Sequence, residues 1–66
     1  MDKRKLQKLK DIDREIKNLD AAARKLKNMA EEIELPIVFY NANRILGTVN
    51  VLKQNISEPL NIIYPD

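Results

Sequence analysis

From Leu9 to Ile33 the steps between successive apolar residues alternate three and four without a miss. The positions are Leu9, Ile12, Ile16, Leu19, Ala23, Leu26, Ala30 and Ile33. That alternation is a heptad seam, with Leu9, Ile16, Ala23 and Ala30 at a and Ile12, Leu19, Leu26 and Ile33 at d. Leu6 and Met29 widen the stripe at its ends. Residues 2–34 contain neither Gly nor Pro and are rich in Lys, Leu, Ala, Glu and Arg, all good helix formers. The spacing therefore predicts one helix over 2–34, about 50 Å long.

The seam cannot continue past Pro36. From Ile33 to Val38 the step is five, so a straight helix would rotate its apolar stripe out of phase. Pro36 disfavours continuation of the first helix and suits the first turn of another. Beyond it, Val38, Ala42, Ile45, Leu46, Val49, Leu52 and Ile56 fall on one helical face, which predicts a second helix over 36–56. The stretches "IVFY" and "TVNV" are strand material by composition, and a hairpin through residues 37–53 is the competing reading. Clean alternation covers only Thr48 to Val51, so the helical period is preferred. The segment "SEPLNIIYPD", residues 57–66, carries two prolines around an apolar centre and reads as an extended tail. The fold class expected is all-α: residues 1–66 form a single helical-hairpin domain that assembles into an oligomeric helical bundle, most simply a four-helix bundle dimer.

Size makes assembly the expected source of stability. A chain of 66 residues buries little surface alone, and with no Cys and no His it has neither disulfides nor Cys/His zinc sites to staple it. The expected oligomer interface is Leu6, Leu9, Ile12, Ile16, Leu19, Leu26 and Ile33. A helix over 36–56 is too short to cover the far end of the first, which would leave Leu6, Leu9 and Ile12 facing water in one chain. Charge adds a direction. Net charge runs +4 over residues 1–10, −2 over 11–20, +3 over 21–30 and −3 over 31–34. An antiparallel neighbour sets these blocks against their opposites, whereas a parallel one in register sets like against like. The partner expected first is the chain itself, with antiparallel pairing of the first helix.

Ile37, Phe39, Tyr40 and Val51 lie off the main stripe of the second helix and are still apolar or aromatic, so that helix is expected to be covered on more than one side. Tyr40, Asn43, Arg44, Gly47 and Thr48 mark its other side. A guanidinium fork beside amides, a phenol and a bare Gly suits either a second helix contact or an anionic, nucleotide-like small ligand held between subunits. Glu31, Glu32 and Glu34 form a linear acidic cluster without the turn geometry of a cation site.

Other classes find less support. There is no His or Cys to serve as nucleophile or base and no Gly-rich phosphate loop, so no enzyme, catalytic residue, metal site or cofactor is expected. A net charge of +2 is far from the excess of a nucleic-acid binder. The basic residues of "MDKRKLQKLK" have no interleaved aromatic side chain, which disfavours a nucleic-acid regulator working through the N-terminus. No apolar run reaches the length of a membrane span and no signal segment is visible, so the default location is cytoplasmic. The function expected is a small non-catalytic homo-oligomeric binding or assembly module, in which a host protein could also take part. Ligand sequestration or sensing is the alternative.

Overall fold

In the computed structural model, which describes residues 2–63, two antiparallel helical arms meet at a tight break. Helix α1 spans Lys3–Glu32 and α2 spans Pro36–Leu52. A five-residue π turn, Lys53–Ser57, then leads into α3, Glu58–Ile63. No strand occurs among the described residues, and "IVFY" and "TVNV" are both helical. The helical period outweighed β propensity there because only the helix puts Ala42 and Val49 against α1 together.

The ends of α1 differ from the expected range for a physical reason at each end. Asp2 lies outside the helix as its N-cap, accepting a hydrogen bond from the Arg4 amide at 3.2 Å. At the other end Ile33 is the C-cap and Glu34 turns left-handed, with φ 54°. The Leu35 amide donates to the Ala30 carbonyl at 2.9 Å and the Glu34 amide to the Glu31 carbonyl at 3.3 Å. This is a Schellman ending with a glutamate where glycine is preferred. Pro36 follows as the first residue of α2, where its missing N–H costs nothing. Because a β-carbon in the left-handed region costs about 1 kcal/mol, Glu34→Gly is expected to raise stability by about 0.5–1 kcal/mol, read as a higher denaturant midpoint at unchanged slope.

The expected extended tail is corrected. Glu58–Ile63 is helical, and Leu52, Lys53 and Glu58 all keep right-handed helical angles. Tyr64, Pro65 and Asp66 lie outside the described residues. Pro59 is the reason for the π turn. It has no N–H to give the Asn55 carbonyl, and its ring would crowd that carbonyl in a regular helix. The widened turn ahead of it, where the Glu58 amide donates to the Lys53 carbonyl, lets the helix pass the proline. Ser57 is consequently buried inside a helical path.

The second arm thus runs from Pro36 to Ile63 and nearly matches α1 in length. This removes part of the expected exposure at the far end: Leu6 and Leu9 are half-buried, while Ile12 remains exposed. Among the described residues the buried apolar side chains are Ile16, Ala23, Ala30, Ala42, Val49 and Leu60. Three of them are alanines, which allows the helices to approach closely at the cost of a thin core. The rod measures 47 × 17 × 15 Å, with a radius of gyration of 14.6 Å. A compact chain of this length would have about 11 Å.

Candidate functional site

The heptad stripe of α1 does not act as one seam. Its a positions Ile16, Ala23 and Ala30 are buried against the second arm. Leu9 and Asp11 are half-buried, and a second inward row is formed by Leu6, Asp13, Asp20 and Lys27, one heptad apart and each four residues after an a position or its equivalent. The d positions point elsewhere. Ile12 is 47% exposed, Leu19 48%, Leu26 44% and Ile33 66%, and Met29 is exposed beside them. Of the residues expected at an interface between chains, then, Ile16 is buried within the hairpin, Leu6 and Leu9 are half-buried, and Ile12, Leu19, Leu26 and Ile33 form an open strip.

Sequence spacing alone did not reveal the polar side of the inner seam. Asp20 accepts from Arg24 Nε at 3.0 Å on its own helix and pairs with Lys53 Nζ at 3.3 Å across the hairpin. Lys27 Nζ lies 5.3 Å from the centre of the Phe39 ring, a cation–π contact. Asp13 is buried near Ser57, with Lys17 Nζ 3.2 Å from Oδ2. Asp13 Oδ1 and Ser57 Oγ are both enclosed without a formed hydrogen bond among the described residues. The Ser57 hydroxyl is nonetheless the largest influence holding the Asp13 carboxyl below its ordinary value; burial opposes it and Lys17 assists. The signal available in the sequence was the set of polar residues at heptad spacing, Asp13, Asp20 and Lys27, directly beside the seam.

These carboxylates set a pH dependence. Asp13 and Asp20 are both held below 3.8, Asp20 by the Arg24 hydrogen bond first and by Lys53 as well, against an opposing effect of burial. A carboxyl with a lower value in the folded state takes up its proton first in the unfolded chain. Its stabilisation is therefore complete above the ordinary value and lost as pH falls through the folded one. Thermal stability is expected to be level above about pH 5 and to fall below about pH 4. The double substitution Asp13→Asn, Asp20→Asn should flatten that fall in melting curves taken across the range.

The second expected site lies along one helix. Tyr40, Arg44, Gly47 and Thr48 are exposed, and Asn43 is half-buried. Ile37, Tyr40, Asn41, Asn43 and Arg44 line an open trough. Two polar side chains on this face are already engaged with their own backbone. Asn41 Nδ2 donates to the Ile37 carbonyl at 2.9 Å, and Thr48 Oγ1 donates to the Arg44 carbonyl at 3.2 Å. Arg44 has no ion pair among the described residues. A β-carbon at Gly47 would meet nothing within 4 Å, so no close approach within the chain calls for glycine there. A smaller notch of about 240 Å³ at the closed end is lined by residues that include Ala30, Glu31, Glu34, Leu35, Phe39 and Tyr40.

Among the described residues no three potential metal ligands come together, and no helix is long and apolar enough to cross a membrane. No family model matches the chain, and no curated protein or solved structure matches it either.

Proposed function

We propose that the protein is a non-catalytic assembly module whose helical hairpin pairs with a second copy of itself, α1 antiparallel to α1, to make a four-helix bundle. The observation that carries this reading is the open strip of d positions. Ile12, Leu19, Leu26 and Ile33 continue an unbroken heptad pattern, yet the hairpin leaves each of them 44–66% exposed. A side chain of this size loses roughly 1.5–3 kcal/mol of burial when left fully in water, a large share of the ~3–10 kcal/mol expected for a chain of this length.

Surface area supports the same reading. The chain exposes 5332 Å², whereas a compact monomer of 7.7 kDa would expose about 4300 Å². The surplus of roughly 1000 Å² is close to the ~800 Å² per partner of a standard protein interface. The ligand-sequestering alternative has less behind it. Its residues lie along one open helical face, and a pocket would need a second wall from another chain. The test is sedimentation equilibrium together with melting at several concentrations. A dimer whose melting temperature rises with concentration is the expected result. A chain that sediments as a monomer at micromolar concentration and melts independently of concentration would refute the proposal.

A further inference from the structure

Resting on the assembly reading, we infer that the second copy docks on one particular side of the hairpin, where Ile12, Leu19 and Leu26 of α1 lie beside Ile45 and Leu52 of α2, and that the two copies are related by a two-fold axis at Leu19. Successive helical residues are about 100° apart. On α1 the inward seam centres between the a positions and the residues four places on, and the d positions lie about 80° from it. On α2 the inward seam centres near Ala42 and Val49, and Val38, Ile45 and Leu52 lie about 40–60° from theirs. Both offsets are counterclockwise when each helix is viewed from its own N-terminus. Because the helices are antiparallel, both strips come out on the same side of the hairpin. Ile45 is 40% exposed there, and Val38 and Leu52 are half-buried. Each helix of a four-helix bundle touches two neighbours roughly at right angles, which is the arrangement these two strips require.

Charge selects the register. Pairing about Leu19 sets residue i opposite residue 38 − i. The basic residues Arg4 and Lys5 then face Glu34 and the neighbouring Glu32. The acidic block around Asp11 then lies level with the basic block around Lys25, while Asp13 and Lys27 themselves stay turned into the hairpin. Moving the axis half a heptad toward the loop sets the acidic block around Asp11 level with Glu32 and Glu34. Moving it as far the other way sets the basic block of residues 3–10 against Arg24, Lys25 and Lys27. Both neighbouring registers set like-charged blocks together, whereas about Leu19 the one like pair at matching level is Arg14 with Arg24, each already paired with Asp11 or Asp20 on its own helix. The back of α2 is a poorer place for a second copy, because a two-fold contact centred there would bring Arg44 toward Arg44.

The full chain has no cysteine, so single-cysteine variants report the geometry cleanly. A residue on a two-fold axis meets its own copy, and a disulfide needs Cα atoms within about 7 Å. Under mild oxidation in a glutathione buffer, Leu19→Cys is expected to form a covalent dimer in most chains. Ile12→Cys alone should not, because its copies would be about 21 Å apart along the bundle. An equal mixture of Ile12→Cys and Leu26→Cys should cross-link. Each reduced variant is first checked for wild-type helicity and sedimentation. Should Leu19→Cys fail that check, the mixed Ile12→Cys and Leu26→Cys pair carries the test in its place. Equal self-linking at positions 12, 19 and 26 would show parallel pairing and overturn the inference. A dimer linked by Arg44→Cys but not by Leu19→Cys would overturn the docking face while leaving assembly intact. A wild-type monomer would instead remove the assembly reading itself.

Discussion

Replacing Leu19 and Leu26 together with aspartate is expected to give a monomer whose melting no longer depends on concentration. Both side chains are nearly half exposed in the hairpin, so the substitutions disturb the fold of one chain far less than its pairing. In the pair, completing their burial is worth about 1 kcal/mol per side chain, counted on both chains. Aspartate forfeits that gain and adds unpaired charge to an apolar contact. At position 19 the new carboxylate would also face its own copy across the axis. The sum is a loss of roughly 4 kcal/mol or more, about a thousandfold in dissociation constant. Sedimentation equilibrium reads this directly. Ile37→Asp, on the exposed back of α2, is the control and should leave the dimer as it is. If the double variant still sediments as a dimer, the open strip on α1 is not where copies meet.

The second large effect lies inside the hairpin. Ile16→Ala is expected to cost about 2–4 kcal/mol, measured as a shift in urea midpoint. Ile16 is 3% exposed and is the only bulky apolar side chain among the buried residues of α1. Its neighbours on the seam, Ala23 and Ala30, are too small to close over the gap. The opposite change is instructive too. Ala23→Leu adds hydrophobic surface at a position 2% exposed and should still destabilise by about 1–3 kcal/mol. The alanines fix how near the arms lie, and a larger residue would push them apart along the whole rod. A stabilised Ala23→Leu variant would mean that the arms are less tightly packed than the burial of Ala23, Ala30 and Ala42 indicates.

The helices were legible because two independent signals agreed in the first and one clearly outweighed the other in the second. In α1, propensity and heptad spacing coincide from Leu9 to the end of the helix. In α2, the period overruled the β-branched composition. What spacing could not show is which half of the heptad stripe turns inward. Positions a and d are equivalent in a list of apolar residues. The partner helix, together with the polar residues Asp13, Asp20 and Lys27, decides between them. The tail was misread for a related reason. Pro59 ordinarily signals the end of a helix, but a π turn one step earlier can carry the chain past it, and nothing in "KQNIS" announces that turn. The outward placing of Tyr40, Arg44, Gly47 and Thr48 on α2 was legible, because a regular helix determines that from numbering alone.

The π turn also divides the rod into parts that should open at different rates. It interrupts the regular i→i−4 ladder, and Pro59 just after it contributes no donor at all. The six-residue α3 beyond is far below the length at which a helix holds itself together. What holds this end is Ser57 beside Asp13 of the first arm and the burial of Leu60. The loop end, by contrast, is closed by covalent connection and the Schellman bonds. Amide exchange should therefore run as a gradient, fastest in the stretch from Gln54 to Ile63 and slowest around Ala23, Ala42 and Val49. The hairpin would fray from its open end like a zip, exposing Leu6 and Leu9 for short intervals while the loop-proximal half stays shut.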